Sequence, residues 1–259
     1  MGIDGKPPLQ PTERATARLQ PIQLLPNLMT LAALCAGLSA MRFAFVGEMV
    51  LSVALIALAA VLDALDGATA RLLKSETALG AELDSLADFV NFGVAPGLLL
   101  YHWALTDNSK AGWIAVLIYA ICCALRLGRY NIEARAKGPE KSVYFQGVPA
   151  PGGALLVLMP LVLTEVFATP FGVALPTIVE IWLVVIGLLM ISRFATPSPK
   201  LLRVPRDKAL FLMVGVVALI ATAFTWPWRV LLTAEVTYLG LLVLFALRPR
   251  KRETTGQKK

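Results

Sequence analysis

About eight stretches of roughly twenty predominantly apolar residues follow one another along this chain, with little between them. They fall at about 28–46, 49–70, 82–104, 112–130, 149–167, 177–195, 208–226 and 230–247. A helical run of that length matches the hydrocarbon thickness of a bilayer, and lipid offers no partner to an unpaired backbone group. The expected fold is therefore all-α, a polytopic membrane helix bundle of about eight transmembrane helices. Composition agrees: 57% of residues are hydrophobic and only 16% charged, whereas a soluble domain is usually about a quarter charged. Connections such as Thr106 to Ser109 and Thr169 to Gly172 leave no room for a separate soluble domain.

Lys and Arg collect on one side of these spans. With the N-terminus inside, the cytoplasmic face receives Lys6, Arg14 and Arg18, then Arg71 and Lys74, the segments 126–141 and 193–208, and the tail from Arg248. Of the 24 basic residues, only Lys110 and Arg229 fall outside and Arg42 within the first span. The positive-inside rule then places both termini in the cytoplasm. The chain divides into a polar segment 1–21, a core of six transmembrane helices over 22–200, two further helices over 201–247 and a basic tail 248–259. Residues 1–21 lack the apolar run and small-residue cleavage site of a removable signal peptide.

The net charge of +7 is accounted for by basic loops facing anionic headgroups. No basic platform interleaved with aromatics points to nucleic acid. Cys35, Cys122 and Cys123 lie in apolar runs without metal-ligand spacing and read as small buried hydrophobes. Trp113, Trp226 and Trp228 sit at predicted span ends, where indoles settle at the interface.

Four carboxylates break the apolar pattern. The second span ends with Asp63, Asp66, Gly67, Ala70 and Arg71, and the third begins with Gly80, Asp84 and Asp88. Offsets of three and four put Asp63, Asp66 and Ala70 on one helical stripe, and Gly80, Asp84 and Asp88 on another. A carboxylate at the bilayer centre costs about 2.5 to 3.5 kcal/mol on the insertion scale, so neighbouring ones need compensation. Bound Mg²⁺ or Mn²⁺ supplies it: these hard ions favour carboxylate oxygens and bridge to phosphates, and no Cys or His joins the cluster. Gly67, Ala70 and Gly80 keep the acidic faces open to a ligand or a neighbouring helix. Arg71, at the cytoplasmic mouth, offers a planar fork to phosphate or simply snorkels to the interface.

These residues resemble the CDP-alcohol phosphotransferases, whose motif reads D-x-x-D-G-x-x-A-R, about eight residues, then G-x-x-x-D-x-x-x-D. Every fixed position matches: Asp63, Asp66, Gly67, Ala70, Arg71, Gly80, Asp84 and Asp88. The resemblance implies that a CDP-linked lipid binds beside the carboxylates, that two metal ions clamp its diphosphate, and that an alcohol displaces CMP. Carried over by position, Asp63, Asp66 and Asp84 are metal ligands, and Asp88 is both near metal and the general base. No Ser, Cys or His is evidently partnered with the cluster, in keeping with direct displacement. A homodimer in the bacterial inner membrane, with its active site facing the cytoplasm, is also implied.

Outside the core the chain is similar to the phosphatidylserine synthase branch, through Leu25 to Thr30, Asp84 to Pro96, Arg126 to Asn131 and Phe145 to Pro151, with Val148 where that branch has Leu. The reaction implied is CDP-diacylglycerol plus L-serine giving phosphatidylserine and CMP. Arg126 and Arg129 can pair with the serine carboxylate or serve as loop charges. Asn27 and Thr30 can contact the nucleotide or cap a helix. The same core chemistry also accommodates glycerol 3-phosphate or choline as acceptor. An ion-coupled transporter is the reading from a different class, and it calls for internal repeats and broken helices at the midplane. His102 lies too far along the third span to act with the carboxylates, Arg42 snorkels, and Gly93, Pro96 and Gly97 suit close packing or a kink.

Overall fold

The computed structural model describes residues 24–73, 75, 77–106, 109–137, 144–167, 174–192, 195–197 and 209–247. Among these residues the chain forms eight apolar helices, one on each of the eight windows. They are α1 (Leu25–Val46), α2 (Met49–Leu73), α3 (Ala78–Leu105), α4 (Ser109–Lys137), α5 (Ala150–Phe167), α6 (Leu175–Ile191), α7 (Ala209–Thr225) and α8 (Pro227–Leu247). Six are long and apolar enough to cross a membrane, and α6 and α7 are shorter apolar helices. Large apolar side chains such as Leu28, Val61, Ile121 and Val217 point outward, as they do where the surrounding solvent is lipid. The fold is all-α, and the protein is integral to the membrane. The expected segment 1–21, the basic tail 248–259 and most basic connections lie outside the described residues.

Because lipid tails are as apolar as leucine, helices associate in a bilayer through close packing and hydrogen bonds. The α1–α2 pair shows both. Thr30, Ala33, Gly37, Ala40 and Ala44 are buried along one face of α1, opposite Ser52, Ile56, Ala59 and Asp66 of α2. Steps of three and four residues keep each set on a single seam, and the Ser52 hydroxyl donates to the Ala40 carbonyl at 2.8 Å. Asp63 and Asp66 continue the spacing of the α2 seam toward the end of the helix that carries Arg71.

Proline interrupts two helices, and each interruption is repaired from a neighbour. Pro96 has no N–H for the carbonyl four residues back, and just ahead of it α3 runs as a π-helix over Phe89–Val94. The freed Phe92 carbonyl accepts the Tyr119 hydroxyl of α4 at 2.7 Å. In α5 the helix breaks at Leu158, ahead of Pro160. There the Leu156 carbonyl, four residues before the proline, accepts the Trp182 indole N–H of α6 at 2.8 Å. Gly93 and Gly97 bring α3 close to α4: a Cβ on Gly93 lies 3.1 Å from Cys123, and one on Gly97 lies 3.2 Å from Val116. Pro96 thus distorts the helix while its flanking glycines pack.

A short antiparallel ribbon, unforeseen from sequence, pairs Tyr144–Gln146 with Ala195–Pro197. Gly147 follows with φ +78°, and a Cβ there lies 2.6 Å from the Ser192 carbonyl oxygen and 2.7 Å from that of Met190, so only glycine fits. Cys122 and Cys123 are buried, but Cys35 is exposed on the outer surface of α1. Trp113 and Trp226 are exposed, whereas Trp228 packs partly against the core. Arg42 stacks its guanidinium over Phe43 at 5.4 Å, and His102 packs edge-on to Phe45, remote from the carboxylates.

Replacing Tyr119 by Phe strands the Phe92 carbonyl among helices. The expected loss is about 1 kcal/mol, read as a fall of a few degrees in the thermal unfolding midpoint in detergent. An unchanged midpoint removes this bond from the account of the π segment.

Candidate active site

The acidic ends of α2 and α3 come together as the helical spacing requires. One carboxylate oxygen from each of Asp63, Asp66 and Asp84 lies within 4.8 Å of the others. Asp66 is buried, and its Oδ2 accepts the Thr30 hydroxyl of α1 at 2.5 Å, while the Pro26 carbonyl lies 3.1 Å from the same hydroxyl. Asp63 also contacts the carboxyls of Asp84 and Asp88. Asp88 therefore stands behind the three-oxygen group, against Asp63, one turn further along α3.

Carboxylates this close repel unless a proton or cation lies between them. The donor set is all hard oxygen, with no sulfur or imidazole, which suits a hard divalent cation such as Mg²⁺ or Mn²⁺. Beside it opens a cavity of about 200 Å³ whose lining includes Asn27, Thr30, Gly67, Ala70, Arg71 and Gly80. Asp66 and Asp84 line it too. Among the described residues a Cβ on Gly67 meets only Arg71, at 3.4 Å, so this face of α2 is open. Gly80 is tighter: a Cβ there lies 2.8 Å from Asn27 Oδ1 and 3.0 Å from Thr77 Oγ1. Thr77 caps α3, its hydroxyl oxygen accepting the Gly80 N–H at 3.0 Å. Of the sequence-derived residues, Asn27, Thr30, Asp66, Gly67, Ala70, Arg71, Gly80 and Asp84 thus line one space, with Asp63 and Asp88 not among its lining.

Arg126 and Arg129 differ in placement. Arg126 is only 8% exposed inside α4, and its charge acts on Asp88. That corrects the reading of Arg126 as a loop charge: this arginine is buried within α4, which runs on to Lys137. Arg129 donates to the carbonyls of Ile191 at 2.9 Å and Ser192 at 3.4 Å, closing the C-terminal end of α6. Asn131 Nδ2 donates to Ser85 Oγ at 2.8 Å, tying α4 to the turn of α3 between Asp84 and Asp88. Sequence reasoning passed over Asn91, three residues beyond Asp88. It is buried against Gly37, with neither amide atom hydrogen-bonded among the described residues.

Two substitutions test this geometry. Asp63→Ala takes away the carboxylate that touches both Asp84 and Asp88, and is expected to weaken Mn²⁺ and cytidine diphosphate binding together by at least about tenfold. Unaltered Mn²⁺ affinity, read by electron paramagnetic resonance, contradicts the metal cluster. Gly67→Leu fills the open face and is expected to abolish CDP-lipid binding while leaving Mn²⁺ bound; unchanged lipid binding puts that ligand elsewhere.

The chain is similar to known proteins over most of its length. The family model for CDP-alcohol phosphatidyltransferase matches residues 23–193, which include α1 to α6 and all four aspartates. A CDP-diacylglycerol--serine O-phosphatidyltransferase of Mycobacterium leprae (strain TN) is 37% identical over 220 residues, covering 84% of this chain and 73% of its own. Proteins of the same name from Mycobacterium bovis (strain ATCC BAA-935 / AF2122/97) and Helicobacter pylori (strain ATCC 700392 / 26695) are 35% and 29% identical. These matches cover 89% and 88% of this chain, and 80% and 92% of theirs. The chain belongs to the CDP-alcohol phosphatidyltransferase family.

Proposed function

We propose that this protein transfers the phosphatidyl group of CDP-diacylglycerol to the hydroxyl of L-serine, giving phosphatidylserine and CMP. The observation that carries the reading is the gathering of Asp63, Asp66 and Asp84 within 4.8 Å, at a cavity lined by glycine, alanine and polar side chains. The relatives' names supply the acceptor. Asp63, Asp66, Asp84 and Asp88 hold two divalent ions, Mg²⁺ or Mn²⁺. When bound, such ions stabilise charge on the diphosphate oxygens and on the departing CMP oxygen.

The rest of the reaction falls to the chain's own side chains. Asn27, Thr30, Ala70, Arg71 and Gly80 border the cytidine diphosphate, Gly67 leaves it room to approach, and Gly80 lets Asn27 close on the first turn of α3. Asp88 takes the proton of the serine hydroxyl. The hydroxyl oxygen then bonds to the phosphorus that carries diacylglycerol, and the bond from that phosphorus to the CMP oxygen breaks. No covalent phosphatidyl-enzyme forms. The Arg126 guanidinium, held beside Asp88, orients the serine carboxylate. Arg129 steadies the end of α6 and contributes to serine binding only through that placement.

The basic connections, both termini and the carboxylate cluster face the cytoplasm in this reading, and the protein resides in the bacterial inner membrane as a homodimer. All eight helices span, six forming the catalytic core over 22–200 and two more lying over 201–247. The 1–21 segment and the 248–259 tail lie on the cytoplasmic side.

The purified protein, given CDP-diacylglycerol with Mn²⁺ or Mg²⁺, is expected to release CMP with L-serine, not with glycerol 3-phosphate, and to stop with EDTA. Release only with another alcohol changes the acceptor, and release that persists in EDTA removes the metals. Asp88→Asn is expected to cut turnover by at least about a hundredfold while leaving the protein folded and CDP-lipid bound; near-normal turnover removes Asp88 as base.

A further inference from the structure

Beyond Asp88 and Arg126, a second set of buried polar groups lies on α8, outside the residues matched by the family model. Glu235 is 0% exposed, and neither carboxylate oxygen has a hydrogen-bond partner among the described residues. Tyr238, one turn along the same face, has its hydroxyl buried and likewise unpartnered. Gly152 of α5 makes room for that ring: a Cβ there lies 2.5 Å from Tyr238 Oη and 2.8 Å from Cζ. Arg126 Nε is unpartnered as well, and its guanidinium acts on both Asp88 and Tyr238. A chain of neighbours therefore runs from the proposed base, through Arg126, to α8.

Buried groups in a folded protein are ordinarily paired, and a cluster left open points to a missing partner. Here the open groups are two donors, a guanidinium N–H and a phenol O–H, and one acidic acceptor. A ligand that completes all three carries an anionic oxygen acceptor and a cationic donor. To meet Asp88 it also carries a hydroxyl. A β-hydroxy α-amino acid has that set on adjacent carbons.

We propose that Glu235 and Tyr238 of α8, with Arg126 of α4, form the acceptor pocket, Glu235 taking the ammonium group and Arg126 and Tyr238 the carboxylate. This inference rests on the phosphatidyl-transfer reading above and names residues that set its acceptor specificity. It gives α8 a function in the reaction, since Glu235 supplies the carboxylate that meets the ammonium group. An acceptor that lacks the amino group leaves Glu235 buried and unpartnered, and one that is a phosphate adds repulsion.

The test uses the full-length protein in lipid nanodiscs, with CMP release measured at saturating CDP-diacylglycerol against L-serine and against 3-hydroxypropanoate, which is serine without its ammonium group. Glu235→Gln is expected to raise the KM for L-serine by at least about tenfold, with the KM for CDP-diacylglycerol unchanged. The preference for serine over 3-hydroxypropanoate falls by a similar factor, and Glu235→Asp restores part of it. Tyr238→Phe raises the serine KM by a smaller factor and carries the test if Glu235→Gln does not fold. A serine-dependent wild type whose Gln and Phe variants keep its serine KM and its preference overturns the pocket alone. A wild type that works only with an acceptor lacking an amino group overturns both the pocket and the serine reading.

Discussion

Everything in this bundle is arranged around carboxylates that helices in lipid ordinarily avoid. Asp63, Asp66, Asp84 and Asp88 are placed by two consecutive helices, and they approach because the α1–α2 seam is built of small residues that let the backbones close. Thr30 fixes Asp66 from the third side. Had the seam been leucine, the helices would stand apart and the oxygens of Asp63, Asp66 and Asp84 would not reach one another. Access depends on a second set of small residues, Gly67 and Ala70, which border the neighbouring cavity beyond the seam.

A second constraint is the backbone itself. Pro96 and Pro160 each leave a carbonyl without its helical partner, and in each case an aromatic donor from an adjacent helix completes it. The π segment Phe89–Val94 begins directly after Asp88, so the distortion lies where the proposed base leaves regular helix. Tyr119 and Trp182 thereby lock α3 to α4 and α5 to α6 at points where the helices themselves are irregular.

Much of this could be read from residue spacing alone. Long apolar windows are nearly unambiguous in a chain with so few charges, and offsets of three and four residues make the acidic faces of α2 and α3 legible in the sequence. What was hidden depended on contacts far apart in sequence. The Tyr144–Gln146 ribbon has as its partner a segment that ends in proline and reads as loop. Arg126 read as a loop charge because it opens the basic stretch 126–141, whereas it is buried within α4, which continues to Lys137. Nothing local to Glu235 or Tyr238 ties α8 to Asp88; that link appears only when Arg126 is seen to act on both Asp88 and Tyr238.

The central claim is that the four aspartates form a metal centre on which the CDP-lipid is held. The most direct test is anomalous diffraction from the protein crystallised with Mn²⁺ and CDP-diacylglycerol. The account predicts two manganese peaks among Asp63, Asp66, Asp84 and Asp88, with the diphosphate against them in the cavity beside Gly67. Lipid bound with no manganese at these carboxylates, or manganese bound away from them, contradicts it.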